Sequence, residues 1–254
     1  MGGKVDSEHT HRSFSRRNLF QIGAVTAGGL VAGSAVAACS SSAQDVAASS
    51  TTTTMAVNNP QDALARLMAG NARFVSGEVL SQGQDATRRA AVSDTQTPYA
   101  VILSCSDSRV APEIVFDDGI GDLFIARVAG NTATTPIVQG TIEYAISSLG
   151  SVLIMVLGHE NCGAVKAALG SVHGDPPPPG QIGAFVEPII PAAQSVQSLP
   201  SDQQLNAAIQ QNARNQCALL KSLQPIIAPE ISSGKVNVVA AEYELVSGKV
   251  LLLN

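Results

Sequence analysis

Ser104-Cys105-Ser106-Asp107-Ser108-Arg109 follows directly on the apolar run Tyr99-Ala100-Val101-Ile102-Leu103. A run of this kind, with no polar break, reads as a strand buried on both faces. A second run, Val152-Leu153-Ile154-Met155-Val156-Leu157, ends in the same manner, at Gly158-His159-Glu160-Asn161-Cys162-Gly163. Two buried strands thus each deliver soft ligands at their carboxyl ends, where open α/β sheets place their active sites.

Working outward, helical and strand patterns alternate. Asn59 and Pro60 are a good cap and first residue for a helix, with Leu64, Leu67, Met68 and Phe74 near one face. A short helix is expected over 85–92 and another over 112–116, followed by a turn at Asp117-Asp118-Gly119 and a strand over 122–127. Thr135-Pro136 opens a helix through Leu149. Cys162 starts a further helix, to about 169. Residues 170–180, with four consecutive prolines, read as a surface loop. The stretch 181–199 reads as helix interrupted by Pro188 and Pro191, and Ser201-Asp202 as the cap of a longer helix to about 223. Strands over 235–245 and 250–253 flank the Ser247-Gly248 turn. The expected fold is α/β: a mostly parallel sheet of about four strands, one antiparallel edge strand and flanking helices.

Residues 1–39 read as an address rather than as structure. Ser15-Arg16-Arg17-Asn18-Leu19-Phe20 is a twin-arginine pattern, followed by an uncharged, mildly apolar run over 22–38. That suits twin-arginine export better than a permanent membrane anchor. Export sets the expected location at the cell surface or periplasm; Val36-Ala37-Ala38-Cys39 resembles a bacterial lipobox, with Cys39 as the residue to carry lipid, the alternative being simple cleavage near Ala38 with Cys39 incidental. Residues 40–57, rich in Ser and Thr, read as a tether, and 58–254 as the folded domain. Membrane contact is expected only through the leader or its lipid.

A net charge of −5 and aromatics at only 4% argue against nucleic acid as a partner. Four cysteines do not make a disulfide scaffold in a chain of 254 residues. Cys105, His159 and Cys162 instead make three zinc-type ligands, one ion per chain, and Asp107 is within reach as a fourth. Taken singly, Cys105 reads as a small buried hydrophobe and His159 as a core histidine; their arrangement after two strands makes the metal reading. Arg109 competes for Asp107, since a guanidinium holds a carboxylate with two prongs. If Arg109 holds it, one metal position is open for catalysis; if it lets go, Asp107 closes the site. Zinc in an open site supplies a water that ionises near neutral pH.

Cys105-Ser106-Asp107-Ser108-Arg109 and His159-x-x-Cys162-Gly163 resemble the signature of the β-class carbonic anhydrases, across roughly residues 60–254. The resemblance implies a zinc lyase that reversibly hydrates carbon dioxide to bicarbonate and a proton, with Asp107 and Arg109 as the catalytic pair. It also implies substrate contacts from Gln96, Phe124, Ala129, Tyr144 and the backbone N–H of Gly163. Taken alone, Phe124 and Tyr144 read as core aromatics and Gln96 as a solvent-facing residue. Ile102 stands where the bicarbonate-inhibited subgroup carries tryptophan, so the plant-like, open form is expected. The family implies a homodimer or higher homo-oligomer whose pocket uses both subunits, with Leu64, Leu67 and Phe74 as the crossing face. Two alternatives stay open on sequence alone: a related hydrolase of carbon disulfide or carbonyl sulfide, and a non-catalytic zinc-binding surface protein.

Overall fold

The computed structural model describes residues 56–253. The twin-arginine and lipobox patterns, Cys39 and nearly all of the tether therefore lie outside the described residues. In chain order the elements are α1 (Pro60–Ser76), α2 (Ala86–Ala91), β1 (Ala100–Ser104), α3 (Pro112–Val115), β2 (Leu123–Arg127), α4 (Pro136–Ser147) and β3 (Leu153–His159). Then follow α5 (Gly163–Val172), α6 (Ile182–Val186), α7 (Ile190–Ser195), α8 (Ser201–Lys221), α9 (Ile227–Ser232), β4 (Asn237–Tyr243) and β5 (Val250–Leu253). Short 3-10 turns lie at Ala129–Asn131 and Glu187–Ile189.

The strands form one sheet in the order β2-β1-β3-β4-β5. All neighbours are parallel except β4 and β5, which make the expected antiparallel edge. From β1 the chain goes first to one side, to β2, and then to the other, to β3. The strand order therefore reverses between β1 and β3, and that reversal opens a crevice at their carboxyl ends.

Every residue of β1 and β3 is buried, which explains why they are apolar up to their last residues, Ser104 and His159. One face of the sheet, with Val101, Leu103, Ile154, Val156, Val238 and Ala240, packs against Ile142 and Ala145 of α4 and Ala213, Cys217 and Leu220 of α8. The other, with Ile102, Met155, Leu157 and Tyr243, packs against Ala63 and Leu67 of α1 and Val115 and Phe116 beside α3. Fully burying a side chain of the Leu or Ile kind is worth about 1.5–3 kcal/mol, so these two layers dominate the stability.

Several local expectations need correcting. Asn59 does cap α1, its Oδ1 accepting from the Asp62 N–H at 2.9 Å, and Thr135 caps α4. Ser201 is instead the first residue of α8, whose cap is Pro200 with no side-chain bond. Pro188 and Pro191 open helical segments rather than break one, because each sits in a first turn, where its missing N–H has no helical partner to lose. Helix α9 was not expected; Pro225 and Pro229 bracket its start and mask its pattern. Leu67, assigned to a subunit-crossing face, is fully buried in its own chain, while Leu64 and Phe74 are only partly covered.

The Asp117-Asp118-Gly119 turn is also an ionic knot. Arg66 bridges Asp118 at 2.8 Å and Asp122 at 2.7 Å, and its guanidinium lies 4.3 Å from the centre of the Tyr99 ring. The Tyr99 hydroxyl donates to Asp118 at 2.6 Å. Burial pushes the Asp118 carboxyl up, opposed by Tyr99 and Arg66. The knot ties α1 to the amino end of β1, opposite the crevice.

Candidate metal centre

Cys105 follows β1 directly, His159 is the last residue of β3, and Cys162 immediately precedes α5. Fold and sequence together place all three in the crevice, buried, with their ligand atoms within 4.8 Å of one another. That is close to the span required by a tetrahedral ion with bonds of about 2.0–2.3 Å.

The donor chemistry fits a soft divalent cation. His159 Nδ1 lies 2.8 Å from the Glu160 carbonyl, which can only accept, so Nδ1 carries the proton. Nε2 is then the lone-pair nitrogen, and it is buried with no hydrogen-bond partner among the described residues. An orphaned acceptor between two sulfurs is the arrangement a metal satisfies. The neighbouring Cys162 thiol, with the Gly130 and Asp107 amides and against burial, pulls the Cys105 thiol well below its ordinary range. The same neighbour, with burial, pushes Cys162 up, opposed by the Val165 and Ala164 amides of α5.

Asp107 is held by Arg109. Arg109 Nε donates to Oδ1 at 2.9 Å, its terminal nitrogen to Oδ2 at 2.7 Å, and its backbone N–H to Oδ1 at 3.0 Å. These bonds hold the Asp107 carboxyl well below the usual carboxylate range. Oδ2 nevertheless stands 3.9 Å from His159 Nε2, at the edge of the cluster.

The other expected residues divide into two groups. Ala129 packs against the layer that contains Cys105 and Cys162, and Gly163 opens α5 beside Cys162. Phe124, Tyr144 and Gln96 are not brought to this chain's own triad. Phe124 is in register with Val101, and 105 − 101 leaves four residues to Cys105, about 13 Å along a strand. Gln96 is exposed and precedes β1 altogether. Tyr144 packs on Phe124 with ring centres 6.2 Å apart and is 49% exposed, so it is not a core aromatic in this chain.

Three supports were not anticipated. Arg127, the last residue of β2, donates to the carbonyls of Cys105 at 2.9 Å and Asp107 at 2.5 Å, bracing the loop that carries both. The Gly130 N–H donates to Cys105 Sγ at 3.4 Å. Asn212 and Gln216 of α8, both buried, reach the loop around Gly130. A signal for the last pair was present in the sequence: amides four apart on a helix face that, Gln204 aside, is made of Ala208, Ile209, Ala213, Cys217 and Leu220.

Comparison with known proteins agrees with this geometry. A sequence model described as carbonic anhydrase matches residues 100–250. A carbonic anhydrase of Mycolicibacterium smegmatis is 37% identical over 198 residues, covering 78% of this chain and 95% of that protein. Among solved structures, the Coccomyxa β-carbonic anhydrase in complex with acetazolamide aligns with a TM-score of 0.60 at 25% identity, over 75% of this chain and 86% of that one. One of two tetrameric β-carbonic anhydrases from Sordaria macrospora shares the fold, with a TM-score of 0.61 at 20% identity, over 76% of this chain and 98% of that one. The α/β sheet with a Cys–His–Cys cluster at its switch point is the frame on which these carbonic anhydrases are built. The chain belongs to the β-class carbonic anhydrase family.

Proposed function

We propose that the chain is a zinc lyase that reversibly hydrates carbon dioxide to bicarbonate and a proton. The observation that carries this reading is the Cys105–His159–Cys162 cluster beside a carboxylate held by Arg109. Zinc bound by the three would supply a Lewis acid that generates the nucleophile near neutral pH. The chain's own groups do the rest. Asp107 stays ionised at working pH and is an acceptor fixed at the edge of the cluster, able to orient a hydroxyl donor. Arg109 keeps it from closing on the metal. The N–H of Gly163, at the positive end of α5, faces a developing anion favourably.

Gln96, Phe124 and Tyr144 are assigned to the pocket of a partner subunit. The exposed Tyr144, its neighbour Phe124 on the edge strand β2, and Ile137 of α4, 83% exposed, make an apolar face that a second copy would cover. The leader is assigned to twin-arginine export, with Cys39 as the lipid attachment point, on the motifs alone. A Cys39→Ala chain would then leave the membrane fraction.

The test is stopped-flow hydration of carbon dioxide by the purified full-length chain, with zinc quantified on the same sample. Activity near one zinc per chain, lost in Asp107→Ala, supports the reading. Stoichiometric zinc without hydration at any pH from 6.5 to 9, the window around the near-neutral ionisation of a zinc-bound water, sinks it.

A further inference from the structure

We propose that Asn212 of α8 is a positioning residue that tunes Cys105 as a metal ligand, acting through Gly130. This rests on the metal-centre reading and adds a residue to it. Four hydrogen bonds run in one direction. The Ala133 N–H donates to Gln216 Oε1 at 2.8 Å, and Gln216 Nε2 donates to Asn212 Oδ1 at 3.3 Å. Asn212 Nδ2 donates to the Gly130 carbonyl at 2.9 Å, and the Gly130 N–H donates to Cys105 Sγ at 3.4 Å. The orientation of each amide is forced. The Ala133 N–H can only donate, so Gln216 must present oxygen to it and nitrogen to Asn212. The Gly130 carbonyl can only accept, so Asn212 must present its nitrogen there. Bonds aligned head to tail in a dry interior strengthen one another.

The link across Gly130 is torsional. Its N–H and its carbonyl belong to different peptide groups, joined through a φ of 71°. Holding the carbonyl from α8 fixes the angle at which the N–H meets the sulfur. Asn212 is 1% exposed, so no water competes for the carbonyl. A donor on a thiolate lowers its lone-pair energy and its electron donation to a bound metal. Without Asn212 the Gly130 peptide relaxes, the bond to Sγ weakens, and Cys105 becomes the stronger donor.

The test loads the full-length chain with cobalt(II) and reads the thiolate-to-cobalt charge-transfer band. Asn212→Leu removes the donor at similar volume; Asn212→Ala is the second variant should leucine not fold. Gln211→Ala is the control on the same helix, since the Gln211 amide donates to Asn215 and takes no part in the relay to Cys105. The band is expected to move to longer wavelength in a folded Asn212 variant and to stay in place in the control. A folded, cobalt-loaded Asn212 variant with an unmoved band overturns the proposal. So does a folded variant that no longer takes up cobalt, which would make Asn212 part of the site's assembly rather than its tuning. Wild-type chain that takes up no cobalt overturns the metal-centre reading, and this proposal with it.

Discussion

Replacing Gly130 by alanine is expected to destabilise the fold by about 2–5 kcal/mol, through two separable costs. The first is conformational: at φ 71° an L side chain crowds its own carbonyl, which costs roughly 1–2 kcal/mol. The second is steric. An alanine Cβ would stand 2.4 Å from Ile189 Cδ1, inside any real contact, and Ile189 is fully buried. Overpacking of that kind costs about 1–3 kcal/mol. Ile189→Val deletes the offending Cδ1 and by itself costs about 0.5–1.5 kcal/mol. In the double variant the severe contact with Cδ1 is gone and only the tight one to Ala164 Cβ, 3.1 Å, remains, so its cost should fall short of the sum of the singles by about 1–3 kcal/mol. Urea unfolding of the four proteins, with chelator present so that metal does not shift apparent stability, measures the cycle. Costs that add within about 0.5 kcal/mol would refute the steric argument, and with it the placement of Gly130 against Ile189 beneath the cysteine.

Arg109→Ala frees Asp107 from both side-chain prongs. Hydration should drop by about 100-fold with metal stoichiometry unchanged, and an unaltered rate would remove Arg109 from the mechanism. Glu242 is 2% exposed; among the described residues its Oε2 accepts from Gln210 at 2.9 Å while Oε1 has no partner, and burial raises its carboxyl above the ordinary value. A raised carboxyl costs nothing while it is protonated in both states. Its cost grows as pH climbs from the ordinary carboxylate range through the raised value. Glu242→Gln should therefore stabilise the fold at pH 8 and not at pH 4, and a difference that is flat with pH in denaturant titrations would contradict this. Arg66→Met leaves Asp118 buried without its cation and should cost about 3 kcal/mol or more. Calorimetry should read that as a drop in Tm of about 6–12 °C, and an unmoved Tm would show the knot to be energetically idle.

The sheet and the Cys105–His159–Cys162 cluster were legible because each depends on local pattern. Strands buried on both faces must be apolar through their length, and 100–103 and 153–158 are, each ending in a polar residue, Ser104 or His159. Ligands at strand ends stand next to those runs in the sequence. What could not be read depends on which segments meet. Arg127 ends an ordinary strand, and only the pairing of β2 with β1 reveals that it braces the Cys105 loop. Asn212 and Gln216 carry a visible anomaly, amides on an apolar face, but nothing local says that their partners lie more than 80 residues back. Asp117-Asp118-Gly119 has turn chemistry, so its ionic role with Arg66 stayed hidden behind a correct local reading. The expectation that Gln96, Phe124 and Tyr144 belong to the pocket came from resemblance, and the chain alone leaves them at the far end of the sheet.

The placement of the two cysteines after β1 and after β3 has a mechanical consequence. Cys105 and Cys162 are 162 − 105 = 57 residues apart, and between them the chain makes α3, β2, α4 and β3. A cation gripped by both sulfurs closes that stretch into a loop, as a disulfide would, but reversibly and without an oxidant. For a loop of this length a cross-link removes about 4 kcal/mol worth of disorder from the unfolded chain. The ion would thus serve as a rivet through the centre of the sheet. Stripping it should hasten unfolding of the half of the domain that carries the crevice.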